Sequence, residues 1–261
     1  MPPSSPTFIC IPGAFSPSTY FHKLVSHLTS LGHTVQAIDL PSTDPSVRAQ
    51  GATPGLYADA EYVRNSASSA LDAGHDVILV ANSYGSAVAM EACKTITPSE
   101  RTESGKTGGQ LKHLVLLGGL LMDTGITVQE LLGDKGPPVD MSVSVTYIEP
   151  IPPVIAGAML VGSLPKEEQE QYGAMGKAIC VQAFLEPLTF AAWKEVPTTV
   201  VVGANDAALA PEMQSEYFEK AAEKGVKGLR KVVIEGGDHL CMLSHPEEVG
   251  RVCLEAAGLE T

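Results

Sequence analysis

Val77-Ile78-Leu79-Val80-Ala81-Asn82-Ser83-Tyr84-Gly85-Ser86-Ala87 is an apolar run that stops at a serine and passes at once into a helix-like pattern. The run reads as a strand buried on both faces. Ala81 and Gly85 flank Ser83, with Ala87 beyond. A strand-to-helix turn this sharp leaves no room for side chains there, so these positions have a steric reason to be small. The turn lifts Ser83 out of the sheet, its hydroxyl exposed above the N-terminus of the next helix. A serine so placed serves as a nucleophile, provided the rest of the chain supplies what activates it.

Strand and helix patterns alternate on both sides of that turn. Apolar runs at 7–11, 34–38, 76–81, 111–117, 198–202 and 229–234 read as short strands. Helical spacing fills 20–31, 56–71, 84–95, 211–223 and 246–257. Residues 39–55 read as a loop, and 98–110 as a polar, glycine-rich surface linker. The alternation implies crossovers and a mostly parallel sheet flanked by helices, an α/β fold. Residues 123–193 break the rhythm with Pro137-Pro138, Pro150 and Pro152-Pro153, followed by mixed apolar and acidic helical pieces. They are expected to form a helical cap inserted over the sheet's edge, leaving 1–122 and 194–261 as a single core domain.

Composition narrows the class. A formal charge of −13 over 261 residues, with no basic cluster, excludes a nucleic-acid-binding surface. Five scattered cysteines (Cys10, Cys93, Cys180, Cys241, Cys253) form no pairing pattern and favour a reducing compartment. Met1-Pro2-Pro3-Ser4-Ser5-Pro6 lacks the basic start of a signal peptide, and no stretch approaches the roughly 20 apolar residues of a membrane span. A cytoplasmic protein without a membrane partner is expected.

A serine hydroxyl needs a base, usually a histidine oriented by a carboxylate. Of seven histidines, His22, His27 and His33 lie on or beside the first helix and read as surface groups. His75 and His113 precede strands, at the wrong end of the sheet, and His245 is placed to cap the last helix. His239 follows the last strand through Glu235-Gly236-Gly237-Asp238, at the carboxyl edge where open α/β sheets hold ligands. Ser83 leaves its own strand at that same edge, so the two can meet. Asp206, just past Val200-Val201-Val202-Gly203-Ala204-Asn205, is placed to be the acid, and Asp123 is the alternative. Asp238 adjoins the base too closely to reach its ring and is expected to stabilise its own turn.

The order Ser83, Asp206, His239 is the one expected of α/β-hydrolases. The chain resembles that superfamily along its length, and within it small esterase-like proteins related to the plant methylesterase and hydroxynitrile lyase family. The resemblance lies in Ile9-Cys10-Ile11-Pro12-Gly13-Ala14-Phe15, in Gly32-His33-Thr34-Val35-Gln36-Ala37-Ile38-Asp39-Leu40-Pro41-Ser42, in the serine turn, in the Asp206 loop and in Gly237-Asp238-His239-Leu240-Cys241-Met242-Leu243. It implies an oxyanion hole made by the backbone N–H groups of Ala14 and Tyr84. Fixed N–H dipoles there stabilise the charge that develops on an attacked carbonyl oxygen. The chain departs from the family at Ala81, Asn82 and Pro12, none of which carries catalytic chemistry.

The expected activity is hydrolysis of a small to medium apolar ester or lactone, with no cofactor and no metal. Phe15, Met122, Met159, Phe184, Trp193 and Leu240 are the candidate pocket residues. A lyase, cyclase or carbon–carbon hydrolase using the same triad is the alternative. Hydroxynitrile lyases of this family carry a lysine after the histidine and a threonine in the first-strand loop, where this chain has Leu240 and Gly13. A ligand receptor that kept the fold is a third reading. Gly105-Lys106-Thr107 lacks the earlier glycine of a phosphate loop, with Glu100 in its place. His239, Cys241 and His245 match no standard zinc spacing.

Overall fold

The computed structural model describes residues 6–135 and 146–259. The N-terminal Met1-Pro2-Pro3-Ser4-Ser5 and Pro137-Pro138 lie outside them. Six strands, β1 (Thr7–Ile11), β2 (Thr34–Ala37), β3 (Val77–Asn82), β4 (Leu111–Leu117), β7 (Thr198–Gly203) and β8 (Leu229–Ile234), form one parallel sheet in the order β2-β1-β3-β4-β7-β8. The remaining pair, β5 (Tyr147–Ile148) and β6 (Ile179–Cys180), forms a separate antiparallel ribbon between β4 and β7 in the sequence.

Strand parity builds two cores. Ile9, Ile11, Leu79, Ala81, Leu114 and Leu116 face one layer, where the helix Leu56–Asp72 buries Leu56, Ala60, Val63, Ala67 and Leu71. Phe8, Cys10, Ile78, Val80, Val115 and Leu117 face the other, against Leu24 and Leu28 of the helix His22–Ser30 and Val249, Val252 and Cys253 of the helix Pro246–Ala256. Covered on both faces, these inner strands have no reason to alternate apolar with polar residues, and they do not. The edge strands β2 and β8 are half-exposed and carry Gln36, Arg230 and Lys231, which blunt them against pairing with another chain.

The chain runs from β1 outward to β2, then crosses back over β1 to β3 and continues away from it. The carboxyl ends of β1 and β3 therefore open onto a topological switch point, where the connecting loops part. Two segments read as loops contain helical turns instead. Asp44 caps Pro45–Ala49 by accepting the Ser46 N–H, and Thr97 caps Pro98–Glu103 by accepting the Glu100 N–H. The first helix is also split, a 3₁₀ turn at Ser18–Phe21 preceding its α-helical part. The five cysteines are free and buried. No helix among the described residues is long and apolar enough to cross a membrane.

Candidate active site

β3 ends in a strained turn. Ser83 takes φ 52°, and among the described residues Phe15 (φ 60°), in the loop after β1, is the other non-glycine residue with positive φ. Such conformations persist only where the surroundings hold them, and they gather at functional sites. The Ser83 N–H is held by the Leu117 carbonyl at 2.9 Å, while the Phe15 carbonyl accepts the Lys177 N–H at 2.8 Å. Gly85 lets the turn close against the β1 loop: a Cβ there would lie 2.6 Å from the Pro12 carbonyl oxygen and 2.7 Å from that of Ile11. This close approach brings the β1 loop onto the serine: a Cβ at Gly13 would lie 3.1 Å from Ser83 Cβ, and Ala14 lines the same cavity as Ser83. Neither the Ala14 nor the Tyr84 backbone N–H donates to a partner among the described residues.

His239 and Asp206 meet at the ends of β8 and β7. Their loops are joined through the backbone, Ala204 N–H to the Ile234 carbonyl and Asn205 N–H to the Gly237 carbonyl, at 3.0 and 2.8 Å. His239 Nδ1 lies 2.8 Å from Asp206 Oδ2, both side chains buried. The carboxylate is held further by the Ala208 and Leu209 N–H groups on Oδ1 and by Gln214 Nε2 on Oδ2. Burial, the strongest single influence on Asp206, favours its neutral form. His239, through its charge and hydrogen bond, and the loop N–H groups outweigh that, and the carboxyl titrates below its usual range. For His239 burial likewise opposes the charged form, yet the Asp206 charge and hydrogen bond prevail and its pKa is raised. An ionised Asp206 only accepts, so Nδ1 of the imidazole carries the proton and Nε2 is the basic nitrogen.

Ser83 and His239 line one cavity of about 530 Å³, with Ala14, Phe15, Met159 and Phe184 also in its wall. Leu120, Leu132, Ile148, Ile151, Leu160 and Leu209 add apolar surface, and no lysine or arginine is among its described lining residues. Three of the pocket residues expected from the sequence lie elsewhere. Trp193 and Met122 sit in the core joined to one another, Trp193 Nε1 donating to the Met122 carbonyl at 2.8 Å. Leu240 is fully buried in the opposite core layer, its N–H bonded to the Leu160 carbonyl. Asp123 is a half-buried ion-pair partner of Lys194 and Lys224, remote in role from the imidazole. Asp238 does not brace its own turn as expected: its buried carboxylate instead accepts the Ser163 N–H and hydroxyl, 75 residues away. His245 stands at the start of the last helix without capping it, its Nδ1 bonded to the Ser244 hydroxyl.

The sequence marks Asn82 only as a departure from the family, without a role, and gives no sign of Gln214. Asn82 Nδ2 bridges the Leu117 and His239 carbonyls, both at 3.0 Å, and so ties the serine turn to the histidine loop. No group of three or more His, Cys, Asp or Glu placed to hold a metal occurs among the described residues.

Residues 8–252 match the profile of the alpha/beta hydrolase family. The chain is similar to a probable hydrolase, R7, of a Phoma species: 26% identity, spanning 98% of this chain and all of the relative. Among solved structures it resembles polyneuridine aldehyde esterase (TM-score 0.73, 19% identity, 97% of this chain and 99% of that one). The methylesterase MES16 of Arabidopsis gives the same TM-score, identity and coverage. At these identities the structural likeness concerns the fold.

Proposed function

The chain belongs to the alpha/beta hydrolase family, and we propose that it is a serine hydrolase that cleaves a small to medium apolar carboxylic ester or lactone. The observation that carries this reading is the buried His239–Asp206 pair, whose histidine lines the same cavity as the strained Ser83. Ser83 Oγ attacks the substrate carbonyl while His239 Nε2 takes its proton, and Asp206 holds the ring and stabilises the imidazolium. The Ala14 and Tyr84 N–H groups receive the oxyanion. His239 then protonates the leaving alkoxide, and water, activated by the same imidazole, releases the acyl group from Ser83.

The cavity supports the substrate class. Its volume of about 530 Å³ lies within the range that holds drug-sized molecules, and its wall is mostly apolar, with Glu149, Ser16 and Tyr20 among the polar exceptions and no lysine or arginine among the described lining residues. The described wall offers an anionic substrate no lysine or arginine, and Glu149 would oppose it. The described part of residues 123–193 acts as the cap, contributing Ile148, Ile151, Met159 and Phe184 to the wall. The names of the two solved esterases point to ester cleavage in this fold. Leu240 is buried away from the cavity, so no cation follows His239 into it, which weighs against cyanohydrin chemistry.

A fluorophosphonate probe tests the reading directly. The folded protein should gain one adduct on Ser83 by mass spectrometry, lost in Ser83→Ala and after denaturation. A folded protein that leaves Ser83 unmodified would overturn it.

A further inference from the structure

The Tyr84 side chain leaves the serine turn for the core. Its hydroxyl donates to Asp59 Oδ2 at 2.8 Å, and the same carboxylate accepts the Ser42 N–H at 2.9 Å and the Ser42 hydroxyl at 2.6 Å. Asp59, on the helix Leu56–Asp72, is 0% exposed, and no lysine, arginine or histidine pairs with it among the described residues. The titratable groups facing it are Tyr84, beside the nucleophile, and Glu186 and Cys180, from the segment between β4 and β7. A carboxylate sealed from water without a cation is an expensive way to hold two hydroxyls and one N–H. An asparagine would serve a merely structural purpose at less cost. The Tyr84 ring also packs on Phe184 at 6.0 Å between centroids, and Phe184 packs on Phe15 at 6.1 Å, so the buried cluster reaches the cavity wall.

We infer that Asp59 is a positioning residue for the reaction: by gripping the Tyr84 hydroxyl, it sets the place of the Tyr84 backbone N–H beside Ser83. The inference rests on the serine-hydrolase reading and deepens it. The grip works at the far end of a rigid side chain whose near end is the peptide joined to the nucleophile. An ionised carboxylate accepts the phenol's hydrogen bond more strongly than a neutral acid does. Burial, outweighing the hydrogen bonds from Ser42 and Tyr84, pushes the Asp59 pKa up to about 6. Protonation near that pH slackens the grip, and the oxyanion donor with it.

Two variants test this. Tyr84→Phe keeps the ring and its packing and removes the tether, so kcat should fall roughly ten- to a hundredfold while KM changes less than about twofold. In Asp59→Asn the amide oxygen can still accept the Ser42 N–H and the amide NH₂ can donate to either hydroxyl, so the fold is kept. The native enzyme should show an inflection in kcat near pH 6, separate from that of His239, and Asp59→Asn should lack it. Unchanged kcat in Tyr84→Phe, or a pH 6 inflection that survives in Asp59→Asn, overturns the inference. If Asp59→Asn does not fold, the kcat and KM of Tyr84→Phe decide alone. Probe labelling of native Ser83 keeps the two questions apart. Labelling with unaltered variant kinetics removes the role of Asp59 and leaves the hydrolase standing, whereas absent labelling removes both.

Discussion

At Gly118 the backbone enters the left-handed region, φ +54°, where β4 ends beneath the imidazole. A Cβ there would lie 3.1 Å from His239 Nδ1 and 3.3 Å from Asp206 Oδ2. Gly118→Ala should therefore cost about 1–2 kcal/mol of stability from backbone strain and lower kcat/KM on the order of tenfold or more by displacing the pair. Chemical denaturation and steady-state kinetics measure the two effects separately. Asp206→Asn should leave the fold intact and lower kcat by roughly 10³–10⁴, because the imidazole loses the partner that fixes its proton on Nδ1. Asp123→Asn breaks surface pairs with Lys194 and Lys224 and should cost less than about 1 kcal/mol with kcat unchanged. Comparable losses of activity in both would return Asp123 to the site. Ser83, His239 and Asp206 could be picked out in the sequence because each lies just beyond an apolar run at the same edge of the sheet. Asn82, Gln214 and Gly118 could not. The roles of Asn82 and Gly118 depend on partners far along the chain, as with Asn82 and the His239 carbonyl, and Gln214 reaches Asp206 only because its helix turns back over the acid loop. Met122 and Trp193 look like pocket residues by composition, and only packing shows that they belong to the core.

The inner strands announced themselves because continuous apolar runs have few other uses in a chain of this polarity, whereas β2 and β8, broken by Gln36, Arg230 and Lys231, were legible mainly through their place in the strand–helix alternation. The short helices Pro45–Ala49 and Pro98–Glu103 carried their signals, Asp44-Pro45 and Thr97-Pro98, inside segments whose overall polarity reads as loop. β5 and β6 had none, since two residues cannot display a period of two. One link between elements has a testable consequence. On either side of His239, Asp238 accepts the Ser163 N–H and hydroxyl, and the Leu240 N–H reaches the Leu160 carbonyl. The histidine loop is thereby strapped to the end of the helix Pro153–Leu160 and the turn after it. Ser163→Ala removes one of these bonds to a buried carboxylate and should destabilise the protein by about 1–3 kcal/mol. Amide exchange should quicken at residues 161–164 before it does so in β3 or β4. Equal acceleration throughout would mean that the strap has no local effect.

Taken together, the buried ionisable groups give the protein a distinctive stability profile. The Asp206 carboxyl is held below its ordinary 3.8, so its contribution is present above that pH and is lost as pH falls through the lower folded value. His239 is raised above its ordinary 6.5, so its contribution is complete below pH 6.5 and is lost as pH climbs through the higher folded value. Asp59 acts in the opposite sense to Asp206. Its rise from 3.8 to about 6 means that the folded state keeps a proton the unfolded chain gives up, and stability declines by about 3 kcal/mol across that interval. Denaturation midpoints followed from acid to alkaline pH should fall between those values in the native protein and stay flatter there in Asp59→Asn. An equal fall in both would assign the decline to other groups. The left-handed backbone at Ser83 carries a further consequence, for evolution rather than for chemistry. Glycine would occupy φ 52° without strain, so Ser83→Gly should yield an inert protein more stable by about 1 kcal/mol. Selection for stability alone would therefore discard this hydroxyl, and its presence in so unfavourable a conformation reflects a trade-off between durability and activity.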